Sequence, residues 1–294
     1  MIIEMLSSPL MQRALVVALL VGFAAPIVGT YLVQRGMALM GDGIGHVSLT
    51  GVALGWLAAG WFGISPNDAL AIPGAILASL VGAILIEIVR EHGRTGGDVA
   101  LAMLFYGGIA GGVLLIRIAG GTTTNLTSYL FGSIATVSTA DVWYTVILAV
   151  FIVLVGIGLR GALFALSHDE EFSRSTGLPV RLLNILVAVL AALTVSVSMR
   201  VVGVLLVSAI MIVPVAIAQL LSTSFVHTMR ISQGIGAVVC VAGLVITYSV
   251  AASPGATIVV ILIAIYAIVA FVRSIAGMRS RHATSRSQEC PAHA

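Results

Sequence analysis

Nine continuous apolar runs, each long enough to cross a lipid bilayer, constrain this 294-residue chain more than any single motif does. A helical span needs about 20 mainly apolar residues to cross roughly 30 Å of hydrocarbon. No water is available there to satisfy backbone N–H and C=O groups, so only helices and closed barrels are admissible. The runs are continuous rather than alternating, which selects helices. Composition agrees, with 60% of residues hydrophobic and 9% charged. The expected fold is therefore all-α, a polytopic bundle of about nine membrane-spanning helices over residues 1–278, with 279–294 as a disordered cytoplasmic tail.

In chain order the expected spans are 14–33, 37–62, 69–89, 99–119, 142–159, 182–199, 201–221, 231–250 and 256–272. The first could pass for a signal peptide, but it is too long for a typical h-region and leads into further spans. The stretch 120–141 is too polar for a clean span. Within it, 124–136 carries Tyr129-Leu130-Phe131-Gly132, apolar enough for a short interfacial or re-entrant piece, and both readings stay open.

Cytoplasmic flanks are enriched in positive charge. The sequence contains no lysine, so its 14 basic residues are all arginine. With nine crossings and the C-terminus inside, 11 of these fall on cytoplasmic flanks and three outside: Arg13, Arg117 and Arg200. The absence of lysine also excludes a P-loop, whose lysine reaches the β- and γ-phosphates. If transport runs on ATP, another chain hydrolyses it. The two cysteines, Cys240 in a span and Cys290 in the tail, give no disulfide framework.

Within the second span, MGDGIGHVSLTGVALG, Asp42 and His46 stand four residues apart. That spacing is slightly more than one helical turn, so both side chains share a face and can aim at one point. An ionisable group in a membrane helix is costly and marks a pathway or a bundle interior. Gly41, Gly45, Gly51 and Gly55 allow close approach of a neighbouring helix, as Gly107, Gly108, Gly111 and Gly112 do in the fourth span. The alternative for the pair is a buried hydrogen-bonded contact within the bundle.

The cytoplasmic connection after the fifth span contains Ser167-His168-Asp169-Glu170, which has the form of a capping box with Ser167 at the N-cap. Gly177 and Pro179 supply a stop. The sequence thus predicts a short helix across 167–179 with an acidic first turn of Asp169, Glu170 and Glu171.

Several other polar residues carry simpler readings. His92, His168 and His227 fall in cytoplasmic loops and read as solvated. Glu87 at a span end faces Arg90 or Arg94 as an interfacial ion pair. Cys240 reads as packing, and Pro214 as a kink in its span. His282, Cys290 and His293 in the tail lack the fixed spacing of a metal site.

Taken together, Met40-Gly41-Asp42 with His46, Ser128 to Gly132, the Asp169 to Arg181 loop, Met199 to Gly203 running on to Pro214, and Ser253-Pro254-Gly255-Ala256 form an ordered set. In that order they resemble the ABC-3 family, the membrane permease subunits of bacterial ABC importers for zinc, manganese or iron. The resemblance covers nearly the whole chain and ends near Arg273. It implies a type II ABC importer permease fold in the bacterial inner membrane, present as a homodimer. It also implies cytoplasmic ATPase partners and an extracytoplasmic metal-binding protein, with no nucleic acid involved and no stably bound cofactor. By the same resemblance Asp42 and His46 are the pair that touches the passing divalent metal. Asp169, Glu170, Glu171, Phe172, Arg174, Gly177 and Pro179 belong to the element that seats on the ATPase. Zinc is the first expectation by family frequency. A self-sufficient secondary transporter, with Asp42 relaying protons or binding a coupling cation, is the competing class, although no second copy of the Asp/His segment is present to suggest an internal repeat.

Overall fold

The computed structural model describes residues 8–288 except 65–66, 93–96, 121–122, 134–136 and 251. Its helices are α1 (Pro9–Gln34), α2 (Met40–Phe62), α3 (Ala71–His92), α4 (Gly97–Ile118), α5 (Thr123–Phe131) and α6 (Thr139–Gly158). They continue as α7 (Arg160–His168), α8 (Glu170–Ser175), α9 (Val180–Val202), α10 (Val204–Leu221), α11 (Phe225–Val250) and α12 (Pro254–Gln288). Among the described residues nine of these are long and apolar enough to cross a membrane. The chain is a multi-pass, all-helical membrane protein.

Span boundaries fall close to the expected ones, with differences where local chemistry extends a helix. Pro9 starts α1 at a first-turn position, where its missing N–H is no loss. Ser138 starts α6 by a capping box: its Oγ accepts from Asp141 N at 3.2 Å, and Asp141 Oδ2 accepts from Ser138 N at 2.8 Å. The expected tail begins at 279, but α12 is described to Gln288, and 289–294, with Cys290 and His293, lie outside the described residues.

The capping box expected at Ser167 is a correction. Ser167 is inside α7, and its hydroxyl donates back to Leu163 O at 2.7 Å. Asp169, extended at φ −151° and ψ 106°, is the N-cap instead, and its Oδ1 accepts from Phe172 N at 2.8 Å. The helix-forming run 160–168 continues from α6 almost without interruption, so the break comes only where Asp169 leaves helical geometry.

The core runs along α1, which packs against α6, α9, α10 and α11, while α2 lies between α3, α4 and α10. Gly51 and Gly55 let α2 come so close to α3 that an added Cβ would fall on the carbonyl oxygens of Gly74 and Leu70. Gly41 needs no such smallness, since its Cβ would make ordinary contacts with Ser208 and Met211 at 3.6–3.8 Å.

Span ends alternate between two faces, as successive crossings require. Arg35 after α1, Glu87 and Arg90 near the end of α3, Glu170 in α8 and Asn184 in α9 are joined by ion pairs and hydrogen bonds at one end. Arg273 in α12 donates to Leu220 O near the end of α10. Opposite, α9 turns into α10 through the single residue Gly203, at φ 88° and ψ 150°. A Cβ on Gly132 (φ 77°) would strike Val201 O, and one on Gly255 would strike Val202 O. Three of the sequence segments singled out above thus meet at one junction. α5 has nine residues, about 13 Å of helix, too short to cross, and it packs on α9 and α10.

Candidate metal centre

α2 opens after a tight connection. Gly36 N donates to Val33 O and Met37 N to Leu32 O, which caps α1, and Met40 N then donates to Met37 O. Asp42 therefore sits in the first turn of α2 and His46 one turn further in. An acidic first-turn residue is favoured by the helix dipole whatever else it does. His46 is a different matter: it is 2% exposed, and its Nδ1 has no hydrogen-bond partner among the described residues. A buried polar atom left unpaired costs about 1–3 kcal/mol. Such an atom is explained where a passing ligand supplies the missing partner.

The imidazole is held from α4. Phe105 packs its ring nearly perpendicular to it, with centroids 4.4 Å apart and planes at 82°. Gly108 brings the α4 backbone against the His46 peptide, where an added Cβ would lie 2.6 Å from His46 C and 2.7 Å from Val47 N. Thr50 Oγ1 donates across the same contact to Gly108 O at 2.8 Å. On the other side a Cβ added to Gly45 would lie 3.3 Å from Val204 Cγ1.

Asp42 is half-buried and borders a cavity of about 290 Å³ with Leu39, Leu101, Ala102, Phe105 and Tyr106. Leu39 and Tyr106 are largely exposed, so the cavity opens on an unpartnered apolar face of the protomer. Asp42 precedes His46 by one helical turn on the same helix. Among the described residues no third His, Cys, Asp or Glu joins them. The site therefore offers one carboxylate and one imidazole, suited to a first-row divalent cation and lacking the thiolate that copper(I) favours. Two protein donors fall short of the four that hold structural zinc.

Leu39 and Leu101 also line a second cavity of about 160 Å³, which reaches Arg90. Arg90 in turn borders a groove of about 920 Å³ containing Glu87, Glu91, Glu170 and Arg174. A line of cavities thus leads from Asp42 to the arginine-rich end of the bundle.

At that end α8 presents the residues singled out for docking. Phe172 is 60% exposed, and the Arg174 side chain is 73% exposed. Glu170 and Glu171 form the acidic first turn. Gly177 adopts φ 81°; its N–H donates to Arg174 O and that of Leu178 to Ser173 O, so the stop is a left-handed cap of two nested bonds. Pro179 is the N-cap of α9. Glu87 forms the expected ion pair with Arg90, at 2.8 Å, although it is buried. His227 is exposed and Cys240 fully buried, as expected of a solvated group and a packing group. His92 lies outside the residues whose side chains are described.

Sequence reasoning missed Phe105, Leu39, Leu101 and the links from Glu170 to Arg35, Arg90 and Asn184. The Gly107–Gly112 run pointed to α4 as a close neighbour of something, but one chain does not reveal the partner helix.

The ABC 3 transport family model matches residues 7–273. The manganese transport system membrane protein MntC of Halalkalibacterium halodurans is 30% identical over 279 residues, 95% of this chain and 92% of that one. The chelated iron transport system membrane protein YfeD of Yersinia pestis is 32% identical over 262 residues, 89% of this chain and 84% of that one. The solved structure of PsaBC from Streptococcus pneumoniae in complex with Fab superposes with a TM-score of 0.79 at 32% identity, covering 92% of this chain and 95% of that one.

Proposed function

The chain belongs to the ABC 3 transport family, and from that premise we propose that it carries divalent manganese, with iron as close competitor, through the bacterial plasma membrane into the cytoplasm. As a membrane permease subunit it performs no catalysis; its lysine-free sequence has no P-loop. Cytoplasmic ATPase subunits seated on α8 supply the energy, and an extracytoplasmic metal-binding protein delivers the ion.

One observation carries this reading: a buried imidazole nitrogen without a partner among the described residues, one helical turn from a half-buried carboxylate that borders a cavity. A carboxylate cannot face lipid cheaply. The exposed apolar rim around Asp42 therefore calls for protein on the other side, and a second copy related by a two-fold axis supplies it. That arrangement brings two Asp42/His46 pairs together, four candidate donors that need not all engage at once. A site of this kind binds well enough to admit the ion and weakly enough to release it. Cargo identity rests on donor chemistry and on the manganese and iron named for the relatives. Zinc, expected from sequence alone, remains within the same donor chemistry and enters as a competitor.

The test is uptake of labelled manganese into proteoliposomes holding permease, ATPase and binding protein. ATP-dependent uptake displaced by excess iron(II) and weakly by zinc supports the assignment. Uptake driven by a proton gradient without ATP would overturn the energy source, and stronger displacement by zinc would overturn the cargo.

A further inference from the structure

At the arginine-rich end, the Glu170 carboxylate on α8 gathers groups from three other elements. Arg35 Nη2 and Arg90 Nη2 each lie 3.6 Å from its Oε2, and Asn184 Nδ2 donates to its Oε1 at 3.3 Å. Arg35 follows α1 directly, has a side chain only 5% exposed, and also donates to Asn184 Oδ1 at 2.7 Å. Arg90 holds Glu87 Oε1 at 2.8 Å and reaches Met37 Sδ at 3.6 Å. Arg35, the first residue of the connection 35–39, and Arg90 of α3, which touches Met37, thus tie that connection to Glu170 immediately before the turn that carries Asp42.

Those guanidinium groups repel each other. Burial first, and then the neighbouring Arg90 charge, holds Arg35 below its ordinary value, while Glu87 and Glu170 act in the opposite sense. Removing one of the two carboxylates from the cluster leaves the arginine pair under-compensated. A second acceptor is already in place: Glu87 is 4% exposed, its Oε2 has no hydrogen-bond partner among the described residues, and it borders the same groove. Arg174, on α8 itself, also lies 3.6 Å from Glu170 Oε1, so away from α8 the arginines Arg35 and Arg90 have two carboxylates to choose between, with one acceptor oxygen of Glu87 unused among the described residues.

We propose that Glu170 is a positioning residue through which the ATPase acts on the metal pair. With Glu170 in place, Arg35 and Arg90 fix the 35–39 connection and hold Asp42 as seen here. When α8 is drawn away with the ATPase, the arginines turn to Glu87 Oε2, and the connection and first turn of α2 shift with them. This is a two-state exchange of ion-pair partners, a common element of switching proteins. It rests on the reading of the chain as an ATPase-driven permease.

The experiment compares Glu170→Gln, Glu87→Gln and Glu91→Gln in the full complex, reconstituted with its ATPase and binding protein. Metal transported per ATP hydrolysed is the readout, since a purely structural role would lower both together. Glu91 pairs with Arg181 at 3.2 Å at the same end but takes no part in the cluster, so its variant serves as control. Glu87→Gln should retain the ATPase subunit and its hydrolysis while metal per ATP falls about tenfold, and Glu170→Gln, read on the complex that assembles, should lower metal per ATP by a similar factor. An unchanged ratio in either variant overturns the proposal. Should Glu170→Gln fail to assemble, Glu87→Gln, which leaves α8 untouched, decides alone. If wild-type complex shows no ATP-driven uptake, the broader reading fails instead.

Discussion

The rings of Phe105 and His46 pack nearly perpendicular to each other, with centroids 4.4 Å apart and ring planes at 82°. This contact between α4 and α2 fixes the imidazole that, among the described residues, lacks a partner for its buried nitrogen. Aromatic pairs of this geometry contribute about 0.5–1.5 kcal/mol beyond the area they bury. Phe105→Leu keeps most of the volume and should lower uptake a few-fold. Phe105→Ala frees the ring entirely and should lower it about tenfold, a difference of about 1.4 kcal/mol. Metal uptake at matched protein levels checks both, and wild-type rates in both would remove Phe105 from the site.

Gly107 and Gly108 are neighbours with opposite expectations. A Cβ on Gly107 meets nothing within 4 Å, whereas one on Gly108 meets the His46 backbone at 2.6 Å. Gly107→Ala should be neutral or stabilising by up to about 1 kcal/mol through helix propensity. Gly108→Ala should force α4 from α2 and destabilise by about 1–3 kcal/mol. Thermal unfolding in detergent, followed with each variant, reads the difference; equal midpoints would mean that the two helices are not in the contact described.

The stop after α8 depends on Gly177 at φ 81°, with open space around it. Gly177→Val therefore acts through backbone strain alone, costing about 1–2 kcal/mol. Purified Gly177→Val permease should retain less ATPase subunit than wild type, while Gly177→Asn, which tolerates the left-handed region, should retain more than Gly177→Val. Undiminished co-purification with Gly177→Val would count against docking at α8.

Much of this was legible before any coordinates. The continuous apolar runs place nine spans, and the four-residue step from Asp42 to His46 sets both in the opening turns of one helix. Helix ends were harder to read, because capping residues compete locally. Ser167 was the more conspicuous N-cap by pattern, yet Asp169 holds that place, and a capping box formed instead at Ser138 and Asp141. What the sequence could not convey is pairing between distant segments. Phe105 against His46, the Gly132–Gly203 junction and the Glu170 links each join residues far apart in the chain, and no periodicity records which helix lies next to which.

The junction of α9 and α10 gives a further test. Gly203 at φ 88° and ψ 150° lies in a region open essentially to glycine, and its Cβ would fall on Leu130 O. Gly203→Ala should reduce folded protein in the membrane sharply, by 3 kcal/mol or about that from strain and overlap combined. Fluorescence-detected size exclusion of the tagged variant is the check, and a wild-type peak would show that the turn is not required.

The central claim, that Asp42 and His46 hold the passing ion, is tested most directly by uptake of labelled manganese in vesicles carrying Asp42→Asn or His46→Ala, with protein and bound ATPase matched to wild type. Asp42→Asn keeps shape and removes the charge that offsets the cation; His46→Ala removes a donor and keeps a good helix former. Uptake should fall to background in both, with ATPase still bound. Transport at the wild-type rate in both variants would make the pair structural and place the pathway elsewhere.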